Sequence, residues 1–356
     1  MNVYTELLEA LNKGKKAVVI TTYENKNNTL YKNSIILSEE AILAKDVSNL
    51  NIENPHAISA CLEYGSLEFF QNQETDKATL MEPYFPEPKL IVFGGGHIAK
   101  PLVEFASKVG FHITVIDDRP TFANSSRFPE AEKVICESFE KSFDLIDLNQ
   151  SSFVVIITRG HRHDMLCLKQ TLKYETSYVG MIGSKRRTKI AKEQLSDEGY
   201  SQEHINKINA PIGLDIDAVS PEEIAISIVA QLISYRRRKK VIPGSTLPQK
   251  VNNPEFDHVV IKELAQPINK PKAIVTIIST KGSVPRKAGA KMIVYGDGKI
   301  LGSIGGGCSE GEVITIARGI IKTGGYIVHD VDMTGYIAED EGMVCGGIMK
   351  VLIESI

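Results

Sequence analysis

The stretch "KLIVFGGGHIAKPLVEFASKVGFHITVIDD" (residues 89–118) constrains the fold of this chain more than any other. An unbroken apolar run meets three glycines, a 3.6-residue periodicity follows, and a second apolar run ends on two aspartates. That order is strand, tight turn, helix, strand: a βαβ unit with parallel strands. Gly94, Gly96 and Ala99 fit the G-x-G-x-x-G/A pattern in the setting where it has a mechanism. Glycine there lets a pyrophosphate approach the unpaired N–H groups at a helix N-terminus. Gly95 and His97 complete the turn, and Asp117 follows about 20 residues on, where an acid can take a ribose 2′-hydroxyl. Arg119 leaves NAD and NADP both open, and a Rossmann-like turn kept without a ligand is the plainer alternative.

Further apolar runs at 133–136 ("KVIC"), 153–158 ("FVVIIT") and 178–183 ("YVGMIG"), separated by helix-like stretches, extend the unit into an open parallel sheet. Two loops at its carboxyl edge carry chemistry. In "TRGHRHD" (158–164), Arg159, His161 and Arg162 could hold an anion, or His161, His163 and Asp164 a metal; a loop hydrogen-bonded into shape is the plainer reading. In "GSKRR" (183–187), Gly183, Ser184 and Lys185 repeat the strand, glycine, helix-start arrangement beside two arginines, which suits either an anion site or a solvated helix face. Ser220, Pro221, Glu222 and Glu223 mark the start of a last helix, with "RRRKK" (236–240) at its negative end. The proline-bearing segment that follows reads as a linker, placed at 246–256.

The two ends of the chain resemble each other. "YTELLEALNKGKKAVVITTYENKN" (4–27) and "VIKELAQPINKPKAIVTIISTKGS" (260–283) share an amphipathic helix, an Asn-Lys turn and an apolar strand that becomes polar. The first copy lacks what the second carries: "KGSVPRKAGAKMIV" (281–294), "GSIGGGCSEGEV" (302–313) and "EGMVCGG" (341–347). Each joins glycine to a group that suits an anion or a soft metal, namely Pro285 and Arg286, the run Gly305, Gly306, Gly307 and Cys308 followed by Glu310, and Cys345. A thiolate beside exposed backbone N–H groups is a better nucleophile and ligand than a free thiol. Turn glycines with incidental cysteines are the alternative.

Bulk properties narrow the classes. A length of 356 residues implies two or three domains, and a net charge of -3 gives no long-range attraction for nucleic acid or an acidic membrane. No run approaches the roughly 20 apolar residues of a spanning helix. Five scattered cysteines without a CxxC pair read as reduced thiols, and the expected location is the cytoplasm. Cys61, Cys136 and Cys167 are expected to fill core positions.

At "GSVPRKAGAKM", "GSIGGGCSEGEV", "CGG", "VFGGGHIAKPL", "TRGHRHD", "YVGMIGSKRR" and "PIGLDIDAVSPEEIAISIVAQLI" the chain resembles the XdhC/CoxI family, accessory factors that mature xanthine dehydrogenase and related molybdenum hydroxylases. The resemblance implies an α/β fold: a reduced XdhC/CoxI-type α+β unit at 1–86, a Rossmann-like domain at 87–245 and a full XdhC/CoxI-type domain at 257–356. It also implies a molybdenum cofactor (molybdopterin) bound, protected during sulfuration by a cysteine desulfurase, and passed to an apo-dehydrogenase. Cys308, and less directly Cys345, then become molybdenum contacts, and the Rossmann-like part takes NAD(P) or another nucleotide, including one that belongs to the cofactor. In the family's usual order the glycine-cysteine domain comes first; here it comes last, which suggests a cleft shared across a homodimer. A nicotinamide-dependent oxidoreductase, with His161 or His163 as acid or base, is the competing class.

Overall fold

The computed structural model describes residues 2–26, 29–38, 55–72, 77–237, 240–241, 248–249, 254, 256–306, 308–333 and 347–356. The chain forms two compact units, one from Met1–Phe85 with Lys239–Ile356 and one from Pro86–Arg238.

The first unit begins with helix α1 (Val3–Asn12), strands β1 (Ala17–Lys26) and β2 (Thr29–Ser38), helix α2 (Pro55–Tyr64) and strands β3 (Glu68–Asn72) and β4 (Lys77–Tyr84). Asn2 caps α1 by accepting from the Tyr4 N–H, and Tyr4, Leu7 and Leu11 form the buried stripe of its helical period. The sheet order is β2-β1-β4-β3, with every pair antiparallel. Strand β1 is central and buries Ala17, Val18, Val19 and Ile20 in succession, so both of its faces are covered.

The second unit runs β5 (Lys89–Phe93), α3 (Ala99–Lys108), β6 (His112–Asp117), β7 (Lys133–Cys136), β8 (Ser152–Ile156), α4 (His161–Thr171), β9 (Tyr178–Met181), α5 (Lys185–Asp197), α6 (Gln202–Asn206), β10 (Ile208–Asn209) and α7 (Pro221–Arg236). Its six strands are all parallel, in the order β10-β9-β8-β5-β6-β7. Numbered along the chain from β5, that is the 3-2-1-4-5-6 order of a Rossmann fold, with the topological switch between β5 and β8. Strand β5 explains the two-layer wrap: Leu90 and Val92 pack on one face with Leu102, Val103, Ile228 and Leu232, while Ile91 and Phe93 pack on the other with Leu168, Ala191 and Leu195. Helix α7 starts with a capping box between Ser220 and Glu223 and has Pro221 in its first turn. Cys136 departs from expectation. It ends the edge strand β7 with an outward side chain and is exposed, whereas Cys61 and Cys167 are buried.

A short pair, β11 (Lys240–Val241) and β12 (Pro248–Gln249), precedes the rest of the first unit. There α8 (His258–Ala265), β13 (Lys272–Lys281), β14 (Lys291–Tyr295), β15 (Ile300–Gly302), α9 (Cys308–Thr323), β16 (Tyr326–Asp332) and β17 (Ile348–Ser355) form an antiparallel sheet ordered β15-β14-β13-β17-β16. Without the short β15 this is the topology of the N-terminal half, element for element. The two halves share cores: α1 meets α8 through Tyr4, Leu7, Leu11, Val260, Ile261 and Leu264, and Tyr23, Ala78 and Leu80 meet Ile278 and Leu352. Fully burying one such aliphatic side chain is worth about 1.5–3 kcal/mol. Among the described residues no helix is long and apolar enough to cross a membrane.

Candidate functional site

In the Rossmann unit the loops that follow β5, β8 and β9 leave the same carboxyl edge and lead into α3, α4 and α5, so three helix N-termini meet the ligand side of the sheet. Gly94 (φ +109°) sits at the switch point, and a Cβ there would lie 2.4 Å from the Ile157 carbonyl oxygen. This glycine is required by the close passage of two strands' ends. The Gly95 N–H donates to Asp117 Oδ2 at 2.8 Å. Arg127 reaches back to the carbonyls of Gly95 (3.0 Å) and Gly96 (3.2 Å), and its neighbour Phe122 lies against Gly95. Gly96 faces open space, and His97 is exposed.

Asp117 differs from its expected role. Its carboxylate is 1% exposed and accepts from Arg119 Nε (2.8 Å), a second guanidinium nitrogen (2.9 Å), the Arg119 N–H and the Gly95 N–H. Burial pushes the carboxyl up, but the Arg119 and Gly95 hydrogen bonds outweigh it and hold Asp117 below the usual carboxylate range. A ribose hydroxyl would have to displace Arg119, which is itself stacked 3.7 Å from the Phe122 ring.

Beyond the switch point, Arg159 bridges to Asp118 at 2.7 Å. Asp164 is 1% exposed, accepting from the Thr158 hydroxyl (2.6 Å) and from Arg187 (2.8 Å). Burial raises its pKa against the pull of Thr158 and Arg187. Asp164 therefore ties the start of α4 to the start of α5, and His163 lies on the Phe139 ring with centroids 5.2 Å apart. The metal reading of His161, His163 and Asp164 does not hold: among the described residues no group of three His, Cys, Asp or Glu side chains is arranged for a metal ion. Ser184 caps α5 by accepting from the Arg187 N–H, while Lys185 and Arg186 are exposed beside Gly183. His161 opens α4 half-buried.

In the other unit the connection from β13 to β14 and the run after β15 meet. A Cβ on Gly305 (φ +139°) would fall 2.4 Å from Pro285 Cγ, so glycine lets the Pro285 loop rest on the glycine run. Glu310 secures the run from the first turn of α9: its Oε1 accepts from the Ser303 hydroxyl and the Ile304 N–H, both at 2.8 Å. Glu310 is thus engaged in holding the loop. Gly306 faces open space, and Arg286 is half-buried on the facing loop. Helix α9 begins at Cys308, so its N-terminal amides open onto the glycine run. Gly307 and Cys345 lie outside the described residues, as does the side chain of Cys308.

Sequence reasoning missed Arg127 and Phe122, which cover the glycine turn, and the Thr158–Asp164–Arg187 link. Arg127 and Arg187 reach partners 32 and 23 positions away, beyond any spacing signature, whereas the Thr158–Asp164 bond, 6 positions apart, fits the plainer reading of that loop as hydrogen-bonded into shape.

A complete Rossmann order joined in one chain to an antiparallel α+β unit with a glycine-rich helix start defines the class: a two-unit α/β protein. Family models then identify it. One described as the XdhC Rossmann domain matches residues 90–232, and one described as the XdhC and CoxI family matches residues 268–332, together more than half of the sequence. The chain belongs to the XdhC/CoxI family. It is 29% identical over 175 residues to the Escherichia coli (strain K12) protein YqeB, across 49% of this chain and 31% of that one. It is 34% identical over 157 residues to a Bacillus subtilis (strain 168) protein named as a probable xanthine dehydrogenase subunit, across 44% of this chain and 46% of that one. It is 20% identical over 151 residues to the molybdenum cofactor insertion chaperone PaoD of Escherichia coli (strain K12), across 42% of this chain and 41% of that one. The chain spans between about a third and a half of the length of these curated relatives.

Proposed function

We propose that this chain is an accessory protein for a molybdenum enzyme of the xanthine dehydrogenase kind, one that binds the molybdenum cofactor, shelters it during sulfuration by a cysteine desulfurase and delivers it to the apo-enzyme. The observation that carries this reading is the match of both units to XdhC family models, in company with a relative named as a cofactor insertion chaperone. The chemistry agrees. A pterin bearing a phosphate and a dithiolene-bound metal asks for an anion cradle and a soft ligand. Arg286 and the start of α9 suit the phosphate, and Cys308 at the head of that helix suits the metal. At the Rossmann edge, Gly96, Ser184, Lys185 and Arg186 suit the nucleotide of a dinucleotide cofactor. The oxidoreductase alternative is weakened because Asp117, the acid it needs for a ribose, is already bound to Arg119.

The test is anaerobic gel filtration of the purified chain after mixing with freshly released molybdenum cofactor, with co-eluting molybdenum and pterin quantified. Wild type retains both, Arg286→Ala loses most of the pterin, and Cys308→Ser loses molybdenum. Absence of either component from wild-type fractions overturns the proposal.

A further inference from the structure

The second unit contains an apolar surface that its own core does not use. Between β10 and α7 the chain crosses the carboxyl edge of the sheet, where the Ile212 N–H donates to the Met181 carbonyl at the end of β9. It then folds over α7: the Gly213 N–H donates to Gln231, the Leu214 N–H to the Ser227 carbonyl, and the Ser227 hydroxyl back to the Leu214 carbonyl. Pinned in this way, the loop and the helix present Leu214, Ile216, Val219 and Ile226 at 42, 51, 84 and 51% exposure. Helix α7 already buries Ala225, Ile228, Val229 and Leu232 against the sheet, so Ile226 adds an apolar residue to its outer side.

Val219 is the most telling of the four. It precedes the N-cap Ser220, the position that commonly staples onto the fourth helical residue, here Ile224. With 84% exposure it makes no such staple, while its own N–H is held by Glu223 at 2.8 Å. Asp217, at φ +56°, holds the loop in a conformation that non-glycine residues seldom adopt.

The charge carried by the segment itself is of one sign. Asp215, Asp217, Glu222 and Glu223 are exposed, and no lysine, arginine or histidine occurs between Ala210 and Arg236. A second copy of the same patch would set acid against acid. An occupant with apolar side chains bordered by lysine or arginine satisfies both the apolar centre and the acidic rim.

We propose that the loop 214–219 with the first turns of α7 is a docking surface for a protein partner whose contact face is apolar and bordered by basic residues, and that this partner is the apo molybdenum enzyme. The assignment of the partner rests on the accessory function proposed above. The surface shares the carboxyl edge of the sheet with the loops after β8 and β9, so a docked partner lies beside the candidate nucleotide edge.

The experiment titrates the full chain into the apo molybdenum hydroxylase of the same organism by calorimetry at low and moderate salt, and measures cofactor retention and thermal midpoint in parallel. Ile216→Ser/Val219→Ser should weaken the complex by about tenfold or more, with retention and midpoint unchanged because both side chains are exposed. Asp215→Lys/Glu222→Lys should weaken it at low salt and remove most of its salt dependence. Affinities within about twofold of wild type for both variants overturn the proposal, as does a wild-type homodimer that the serine variant dissociates without a change in hydroxylase affinity. Wild type that retains cofactor but forms no complex overturns docking and leaves the cofactor reading standing. A complex lost in the variants, in a chain that retains no cofactor, supports docking and overturns the cofactor reading.

Discussion

The two halves of the first unit have one topology and different working parts. In the N-terminal half β1 and β2 pair in unbroken register up to Lys26 opposite Thr29, so their connection is short. In the C-terminal half β13 and β14 are separated by residues 282–290, which contain Pro285 and Arg286, and a glycine run precedes α9. The N-terminal segment before α2, "EEAILAKDVSNLNIEN" (39–54), contains neither glycine nor cysteine. One half therefore keeps the scaffold, and the other adds a longer, glycine-bearing loop and a glycine run to it.

The halves are also locked to each other by reciprocal ion pairs. Glu82 on β4 lies 2.6 Å from the amine of Lys291 on β14, and Glu354 on β17 lies 2.6 Å from the amine of Lys32 on β2. The last strand of each half supplies the acid, and the second strand of the other supplies the base. Lys291 is fully buried and also donates to the Thr276 hydroxyl at 2.7 Å, although the Glu82 oxygen it approaches makes no well-aligned hydrogen bond. The Lys32 side chain is 27% exposed, and Glu354 has the Tyr23 hydroxyl at 3.0 Å as well.

That asymmetry sets the largest expected effect. Lys291→Ala leaves a buried carboxylate without its cation and should destabilise the chain by about 3–5 kcal/mol in urea unfolding, more than Lys32→Ala, whose acid keeps Tyr23. The double variant Lys291→Met/Glu82→Leu should recover most of the loss. A double variant no better than Lys291→Ala would show that the pair does not couple the halves.

Gly305→Ala should cost roughly 1–3 kcal/mol, from its positive φ and from the contact with Pro285. It should also abolish cofactor retention in the gel-filtration assay while leaving the shared topology, read by circular dichroism, intact. Retention at the wild-type level would mean that the added loops are scaffold too. A smaller effect belongs to the joint between α1 and α8. Asn2 both caps α1 and donates to the Leu264 carbonyl at 2.7 Å, so Asn2→Ala should cost about 1 kcal/mol by thermal unfolding. A change below a few tenths would make the joint purely apolar.

The duplication was legible because a strand buried on both faces must be apolar throughout, and "AVVI" and "AIVTII" advertise that in any context. The Rossmann strands were legible for the same reason, and α7 through its capping residues. The predicted strand 153–158 ends at Ile156, and the backbone of Ile157 and Thr158 beyond it passes close against Gly94. The occupants of the site were not legible. Asp117 stands where a ribose ligand belongs, yet Arg119, two residues on, takes it, and periodicity does not report which partner a carboxylate chooses. Cys136 looked like a core residue because its strand is apolar, but it is the last residue of an edge strand and stands exposed.

The smallest expected effect separates the halves by pH. Where the chain enters β13, Lys272 is 3% exposed and lies 2.9 Å from Glu263 on α8, which also accepts from Tyr295 at 2.9 Å. The corresponding Lys16, just before β1, lies over the Phe85 ring at 4.4 Å. Lys272 first, then Tyr295, holds Glu263 below the usual carboxylate range, and burial together with the same contact pushes the Tyr295 phenol up to about 12. A carboxylate with a depressed folded pKa adds stability above its unfolded value of about 4.3 and loses it as pH falls through the lower folded value. Glu263→Gln should therefore lower the thermal midpoint at neutral pH and flatten its fall between about pH 5 and pH 3. If the variant keeps the wild-type acid slope, the trio is a surface contact without linkage, and the C-terminal half is no more acid-sensitive than its N-terminal copy.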